Sequence, residues 1–195
     1  DCAEIDHNFW DVLRDKRLMP HFHISLQSGN NMILKRMKRR HSREMAIAFC
    51  KKVLSIRKDA TFGADIIAGF PTETEEMFLD SLSLVDECQL THLHVFPYSP
   101  RDKTPASRMP QVNKGIIKDR AKRLRNKGFE KLEKNLKSKI GKKELILIEN
   151  NKDNISIGKD QNFIKVKVNK DIKEGRIIYC IYTGIEGDTL LANII

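Results

Sequence analysis

The segment Asp65–Thr74, with the sequence DIIAGFPTET, limits the fold of this chain more than any other stretch. Residues 62–70 form a nearly continuous apolar run, which predicts a strand buried on both faces in a parallel sheet covered by helices. A carboxylate inside such a strand needs a partner. Two interpretations remain open: Asp65 pairs with an arginine or a backbone donor, or it accepts hydrogen bonds from the vicinal hydroxyls of a ribose.

Two more segments predict strands that flank this run in the sequence. Residues 21–26 (HFHISL) precede a turn rich in Gly and Asn, and residues 91–99 (THLHVFPYS) precede a loop rich in proline. Strands that alternate with helices predict a parallel α/β sheet or barrel, with the ligand site at the strands' C-terminal ends. We expect the polar side chains at these strands to converge in a pocket: Gln27, Ser28, Asp65, His94 and Tyr98.

Apolar residues at helical intervals predict helices between the strands. Two helices are expected between the first and second strands, with a break near His41 and Ser42. A third helix is predicted over residues 73–87, where Thr72 and Glu75 suggest a capping box.

The last third of the sequence has a different pattern. One long basic helix is predicted over Val112–Lys139, interrupted or weakened at Gly115 and Gly128, and four short apolar strands follow it. Short strands separated by turn residues are typical of a small all-β barrel or sandwich. We therefore predict three parts: residues 1–112, a linker helix over 113–140, and a β domain over 141–195.

The positive charge is concentrated in one segment. The net charge is +10, and the stretch from Lys114 to Lys143 alone contains 13 basic and 3 acidic residues. Such a segment attracts polyanions, and nucleic acid is the first candidate, although a solvated helix face would have the same composition. The cations predicted to contact RNA are Lys118, Arg120, Lys122, Arg123, Arg125 and Lys127.

Metal sites and membrane spans are not predicted. The four cysteines lie far apart, without the spacing of zinc or iron–sulfur sites, and we expect them to be reduced. The six histidines show no ligand pair at helical spacing, so no metal centre is predicted from this chain alone.

No apolar run approaches the ~20 residues of a membrane span, and we expect a cytoplasmic protein. The chain starts without Met or a signal peptide, so we expect it to be part of a longer protein.

Three motifs taken in order carry a family resemblance. The segments LMPHFHISLQSGNNMILKRMKRRHSRE, DIIAGFPTETEEMF and HLHVFPYSPRDKTPASRMP resemble the second half of a radical SAM methylthiotransferase. Within that family, HLHVFPYSPRDKTPA is most similar to the branch that methylthiolates threonylcarbamoyladenosine next to the tRNA anticodon. The segments IGKKELILIENN, SIGKDQNFIKVKV and GDTLLANII resemble a TRAM domain, a small β-barrel that holds RNA. The resemblance implies a partial radical SAM (TIM-like) α/β barrel followed by a small all-β TRAM/OB-like barrel.

The resemblance also implies roles for particular residues. Asp65 would meet the ribose of S-adenosylmethionine, Gln27 occupies the matching position on the preceding strand, and Arg39 would pair with the cofactor's carboxylate. Ile67 and Phe96 would flank the adenine. The full implied cofactor-binding set adds two residues of the adjoining turns and reads Gln27, Ser28, Arg39, Asp65, Ile67, Gly69 and Phe96. The segment GFPTET departs at Thr72 from the family's usual GFPGET.

A larger departure concerns the metal cofactors of the family. The resemblance implies 4Fe–4S clusters, one of them held by a C-x-x-x-C-x-x-C loop, and this sequence has no such loop. We therefore expect this chain to be the C-terminal part of a tRNA methylthiotransferase and to be inactive alone. Its expected partners are tRNA and a missing N-terminal half, which lies on the same or on a separate chain. The alternative is a non-catalytic RNA-binding remnant or an accessory subunit of a split enzyme.

Overall fold

A computed structural model describes residues 2–195, and its contacts divide the described chain into two units. The first unit comprises residues 2–18 and 22–131, and the second comprises Met19–His21 and Leu132–Ile195. Each unit has its own cluster of buried apolar side chains.

The first unit is a three-stranded sheet covered by helices. Its strands pair in the order β1-β2-β3, and β2 runs parallel to β3. Short 3-10 helices lie at Cys2–Glu4 and Pro105–Arg108. The elements are α1 (Asn8–Val12), β1 (His21–Gln27), α2 (Asn31–Arg36), α3 (Arg43–Ile56), β2 (Thr61–Ala68), α4 (Glu75–Glu87), β3 (Leu90–Pro97) and α5 (Lys114–Lys139), whose residues from Leu132 onward belong to the second unit. The three predicted strands and the break between α2 and α3 are confirmed.

Helix starts in this unit depend on side-chain caps. Asn30 accepts hydrogen bonds from the backbone N–H groups of α2, and Ser42 caps α3. The predicted cap of α4 is wrong: Thr74, not Thr72, accepts from the backbone N–H of Met77 at 3.3 Å. Thr72 instead has a positive φ of 69° and lies in the turn before the helix.

The core of the first unit lies between the sheet and its helices. Ile24 and Leu26 of β1, with Ala64 and Ile66 of β2, are buried on one face of the sheet. The basic helix α5 contributes its few apolar residues to this core, among them Leu124. Burial of an apolar stripe anchors a helix whose remaining surface is charged.

Helix α5 continues through both glycines at which an interruption was predicted. Gly128 lies against β3, where an added Cβ would come within 2.9 Å of the side chain of Leu93. The missing side chain allows the helix to approach the strand closely, and this packing offsets the poor helix propensity of glycine.

The second unit contains a closed barrel with the strand order β4-β5-β6-β8-β7. Its strands are β4 (Lys143–Lys152), β5 (Ile155–Lys159), β6 (Lys165–Val168), β7 (Ile177–Glu186) and β8 (Thr189–Ile194). The sequence predicted four of the five strands and missed β5. Inside the barrel, buried Asp160 accepts hydrogen bonds from the hydroxyl of Tyr182 at 3.0 Å and from Lys139 Nζ at 2.9 Å.

Candidate functional site

The sheet of the first unit has a second face, opposite its helices, that carries polar and aromatic side chains. Side chains alternate along each strand, so residues two apart share a face. In the register of β2 and β3, Asp65 lies opposite His94 and Ile67 lies opposite Phe96. Because Gln27 ends β1 on this same open side, three strands contribute to one surface.

A cavity of about 420 Å³ opens on this surface at the ends of the strands. Four of the seven residues predicted to bind the cofactor line it together: Gln27, Asp65, Ile67 and Phe96. The loop after β3 closes its other side with Tyr98. The volume lies within the range of small-molecule and cofactor sites, which is roughly 300–1,000 Å³.

Asp65 has histidine partners rather than the arginine or backbone donor considered from the sequence. Its Oδ1 lies 2.9 Å from Nε2 of His23 on β1 and 3.3 Å from Nδ1 of His94 on β3. All contacts that the structure gives for this carboxylate are made by Oδ1, which leaves Oδ2 without a hydrogen bond from residues 2–195.

Gln27 has a strained backbone at the edge of the cavity. Its φ is +67°, in the left-handed region that non-glycine residues rarely adopt, and the next residue donates its backbone N–H back to the carbonyl of Leu26 at 2.8 Å. Such strain is concentrated at ligand-binding turns, because the surrounding structure must hold it.

Three predicted cofactor residues lie outside this cavity. Ser28 is buried, and its Oγ accepts the backbone N–H of Asn30. Gly69 has a φ of +77°, and an added Cβ would come within 2.5 Å of Ile117 on α5. Arg39 donates to the backbone carbonyl of Ser25 at 2.8 Å and lines a separate cavity of about 320 Å³. Ser28 and Gly69 therefore shape the turns that carry the site.

Glu73 is a residue of this turn whose role the sequence did not reveal. The sequence predicted only a helix that begins at residue 73, but Glu73 is buried and accepts the backbone N–H of Gly69 at 3.0 Å. Arg120 of α5 donates to its carboxylate at 2.9 Å and to its carbonyl at 3.0 Å. Burial raises the pKa of Glu73, while Arg120 and the Gly69 N–H act in the opposite direction. Its partner lies 47 residues away, and no local signal links the two.

The predicted RNA-contacting cations of α5 fall into three groups. Lys118, Lys122 and Arg125 are exposed at helical intervals of four and three residues, which places them on one face. Arg123 and Lys127 form ion pairs with Glu75 and Asp86 respectively. Arg120 is buried and bound to Glu73, which corrects the prediction that it contacts RNA.

A second cavity of about 530 Å³ lies between α5 and the loop after β3. Lys118 and Arg125 line it, and Pro97, Tyr98 and Ser99 separate it from the first cavity. The hydroxyl of Tyr98 is buried without a hydrogen-bond partner in the described part of the chain, and burial raises the pKa of this phenol. The two cavities are therefore neighbours that share one wall.

The cysteines are free thiols, and three of them, Cys50, Cys88 and Cys180, are buried. Burial raises the pKa of the Cys2 thiol to about 11. Within residues 2–195, no group of three or more metal-ligating side chains contains a cysteine. No helix of the same residues is both long enough and apolar enough to cross a bilayer.

Comparisons with known proteins show which proteins this chain is similar to. Residues 4–85 match the Radical SAM superfamily. The chain is 53% identical over 187 residues to the threonylcarbamoyladenosine tRNA methylthiotransferase MtaB of Rickettsia prowazekii (strain Madrid E). This alignment covers 95% of this chain and 44% of that protein. It is 42% identical over 120 residues to the tRNA-2-methylthio-N(6)-dimethylallyladenosine synthase of Shouchella clausii (strain KSM-K16), covering 61% of this chain and 23% of that one.

The chain is a relative of the radical SAM methylthiotransferases. The resemblance predicted from its motifs is thus confirmed, and the chain spans less than half the length of these relatives. Among solved structures, the radical SAM enzyme coproporphyrinogen III oxidase (HemN) from Escherichia coli aligns with a TM-score of 0.53 at 17% identity. That alignment covers 94% of this chain and 45% of HemN, and at this identity it shows the fold alone.

Radical SAM chemistry uses S-adenosylmethionine and 4Fe–4S clusters, and the described residues fit these two groups differently. The first cavity offers a carboxylate for ribose hydroxyls and apolar side chains for an adenine. A 4Fe–4S cluster needs cysteine thiolates, and the residues described here do not bring cysteines together into such a set. The first cavity therefore has side chains suited to S-adenosylmethionine, whereas the described residues do not offer the thiolates that a cluster needs.

Proposed function

We propose that this chain supplies the S-adenosylmethionine-binding wall and the tRNA-binding part of a threonylcarbamoyladenosine tRNA methylthiotransferase that acts in the cytoplasm. The observation that carries the proposal is the cavity in which Gln27, Asp65, Ile67 and Phe96 meet from three strands. The identity to MtaB favours the threonylcarbamoyladenosine branch, because it extends over nearly the whole chain.

Each residue of the cavity has a distinct part in cofactor binding. Oδ2 of Asp65 would accept hydrogen bonds from the ribose hydroxyls, while Oδ1 keeps its contacts with His23 and His94. Ile67 and Phe96 would pack on the adenine, and Arg39, which lines a separate cavity, would bind the cofactor's carboxylate. The bound cofactor supplies the radical chemistry that activates the adenine carbon of the tRNA, and the protein fixes its position.

The basic face of α5 and the β-barrel form the proposed tRNA-binding part. Lys118, Lys122 and Arg125 are exposed along one face of the helix, at the spacing that a row of phosphates can use. The closed five-stranded barrel fits a TRAM or OB-like domain. We propose that the chain has three functional parts: residues 1–112, a linker helix over 113–140 and a β domain over 141–195.

Cofactor binding is tested by calorimetric titration of the chain with S-adenosylhomocysteine, the unreactive analogue of the cofactor. We expect binding to disappear in Asp65→Ala and Phe96→Ala and to persist in Asp59→Ala, a matched control whose carboxylate pairs with Arg57. Equal binding by all variants would show that the cavity is not the cofactor site.

RNA binding is tested by filter binding of tRNA at several salt concentrations. Lys122→Ala should weaken binding and reduce the salt slope by about 1 for a lost phosphate contact. Lys127→Ala is the control, because this lysine is paired with Asp86 at 2.8 Å and should change the slope less. Strong tRNA binding without any binding of the cofactor analogue would favour the alternative, an RNA-binding remnant or accessory subunit.

A further inference from the structure

Three side chains from three neighbouring strands converge on the open face of the sheet. The ligand atoms of His23, Asp65 and His94 all lie within 4.8 Å of one another. Among residues 2–195, this is the one group of three or more histidine, cysteine or acidic side chains arranged in this way. The sequence did not predict it, because the three residues belong to separate strands and no pair lies at helical spacing.

The distances suit a shared metal ion. With bonds of about 2.0–2.1 Å, two ligand atoms of a tetrahedral zinc ion lie about 3.3 Å apart. The two nitrogens lie 2.9 Å and 3.3 Å from Asp65 Oδ1. The contact with His23 has hydrogen-bond geometry, whereas Nδ1 of His94 lies 3.3 Å from the same oxygen without a hydrogen bond to it. A cation between the three atoms would account for this convergence.

We propose that His23, Asp65 and His94 bind a divalent transition-metal ion of the zinc type. Two imidazoles and one carboxylate form a ligand set that such ions prefer, and they leave a fourth position for water or another ligand. The three side chains are 34%, 26% and 63% exposed, so an ion can enter from solvent. This nitrogen and oxygen site differs in kind from an iron–sulfur site, which uses thiolates.

The metal site is separable from the proposed cofactor cavity. Asp65 belongs to both, whereas His23 and His94 do not line the cavity and Phe96 is not a metal ligand. The proposal therefore stands independently of cofactor binding. Loss of zinc binding in His94→Ala with retained binding of S-adenosylhomocysteine would separate the two, and Phe96→Ala should show the opposite pattern.

The experiment is a calorimetric titration of the 195-residue chain, reduced and metal-free, with zinc chloride at neutral pH. We expect one ion per chain and a loss of affinity of at least about 10–100-fold in His23→Ala and His94→Ala, since even second-shell changes cost that much. His92→Ala is the matched control, because His92 lies on the same strand and face, two residues from His94. It should bind zinc like the unchanged chain.

A parallel titration with cobalt chloride identifies the ligands. Cobalt bound by imidazole and carboxylate lacks the sulfur charge-transfer absorption that a cysteine site would show. Trp10 fluorescence and far-UV circular dichroism check that each variant is folded, and His94→Ala carries little risk because its side chain is mostly exposed. The proposal is overturned if the chain binds no zinc, if both histidine variants bind it as tightly as the unchanged chain, or if cobalt shows thiolate bands.

Discussion

Replacement of Arg120 by alanine should destabilise the first unit far more than replacement of its neighbour Arg123. The Arg120 guanidinium donates at 2.9 Å to a Glu73 carboxylate, and the two side chains are 5% and 0% exposed. Removal of one partner of a buried ion pair leaves the other charged and unpaired, at a cost of about 3–5 kcal/mol. Arg123 pairs with Glu75 at the surface, where such pairs contribute about 0.2–1 kcal/mol.

Urea unfolding followed by the fluorescence of Trp10 measures this difference. Trp10 is the single tryptophan of the chain and packs against Phe49 in the core of the first unit, so its signal reports that unit. The free energy of unfolding follows from linear extrapolation to zero urea. A loss in Arg120→Ala no larger than that in Arg123→Ala would refute the buried-pair argument.

The pH dependence of the same loss gives a second check. Burial raises the pKa of the Glu73 carboxyl in the folded state. The stability that the protonated carboxyl contributes is therefore complete at low pH and is lost as the pH rises through the folded-state pKa. Removing Arg120 takes away a charge that lowers this pKa, so the costly ionised form is disfavoured further. The destabilisation in Arg120→Ala should therefore shrink as the pH falls from about 8 to about 5. The double variant Arg120→Met with Glu73→Gln should recover much of the free energy of unfolding that Arg120→Met alone loses, because the double variant leaves no buried charge.

Four other residues give independent predictions. Thr74→Ala should lower the urea stability by about 1 kcal/mol through loss of the α4 cap, and an unchanged midpoint would contradict that assignment. Gly69→Ala should cost about 1–3 kcal/mol in thermal unfolding, because its φ is +77° and Ile117 occupies the space of a Cβ; a neutral result would refute the tight packing. Asp160→Asn should destabilise the barrel, measured by far-UV circular dichroism in urea, because Lys139, whose side chain is 12% exposed, loses its counter-ion. Cys2 should react slowly with iodoacetamide at neutral pH and faster as the pH approaches about 11, and rapid neutral alkylation would contradict its burial.

The strands and the cavity could be predicted because their signals are local. The apolar run around Asp65 and the polar residues after each strand are visible in the sequence, and parallel strands bring such ends to one edge. The partners of Asp65 could not be predicted in the same way. His23 lies 42 residues away, and its contact depends on the pairing of β1 with β2 rather than on any local spacing.

The errors also have physical causes. Strand β5 was missed because its five residues, ISIGK, include a glycine and a terminal lysine, and its stability comes from pairing with β4 and β6. The interruption of α5 was predicted from the propensity of glycine, but Gly128 is the residue that allows contact with Leu93. The cap was assigned two residues too early, because Thr72 and Thr74 both precede glutamates and only the backbone conformation separates them.

The buried pair between Arg120 and Glu73 connects the two proposed activities of the first unit. Glu73 holds the backbone N–H of Gly69, in the turn directly after the strand of Asp65. Arg120 lies on the buried side of α5, whereas Lys118 and Lys122, which we propose to contact RNA, are exposed on the same helix. Because the pair fixes the helix to the turn, a variant that breaks it should weaken binding of the cofactor analogue and of tRNA together. Variants of either surface alone should affect only one of the two.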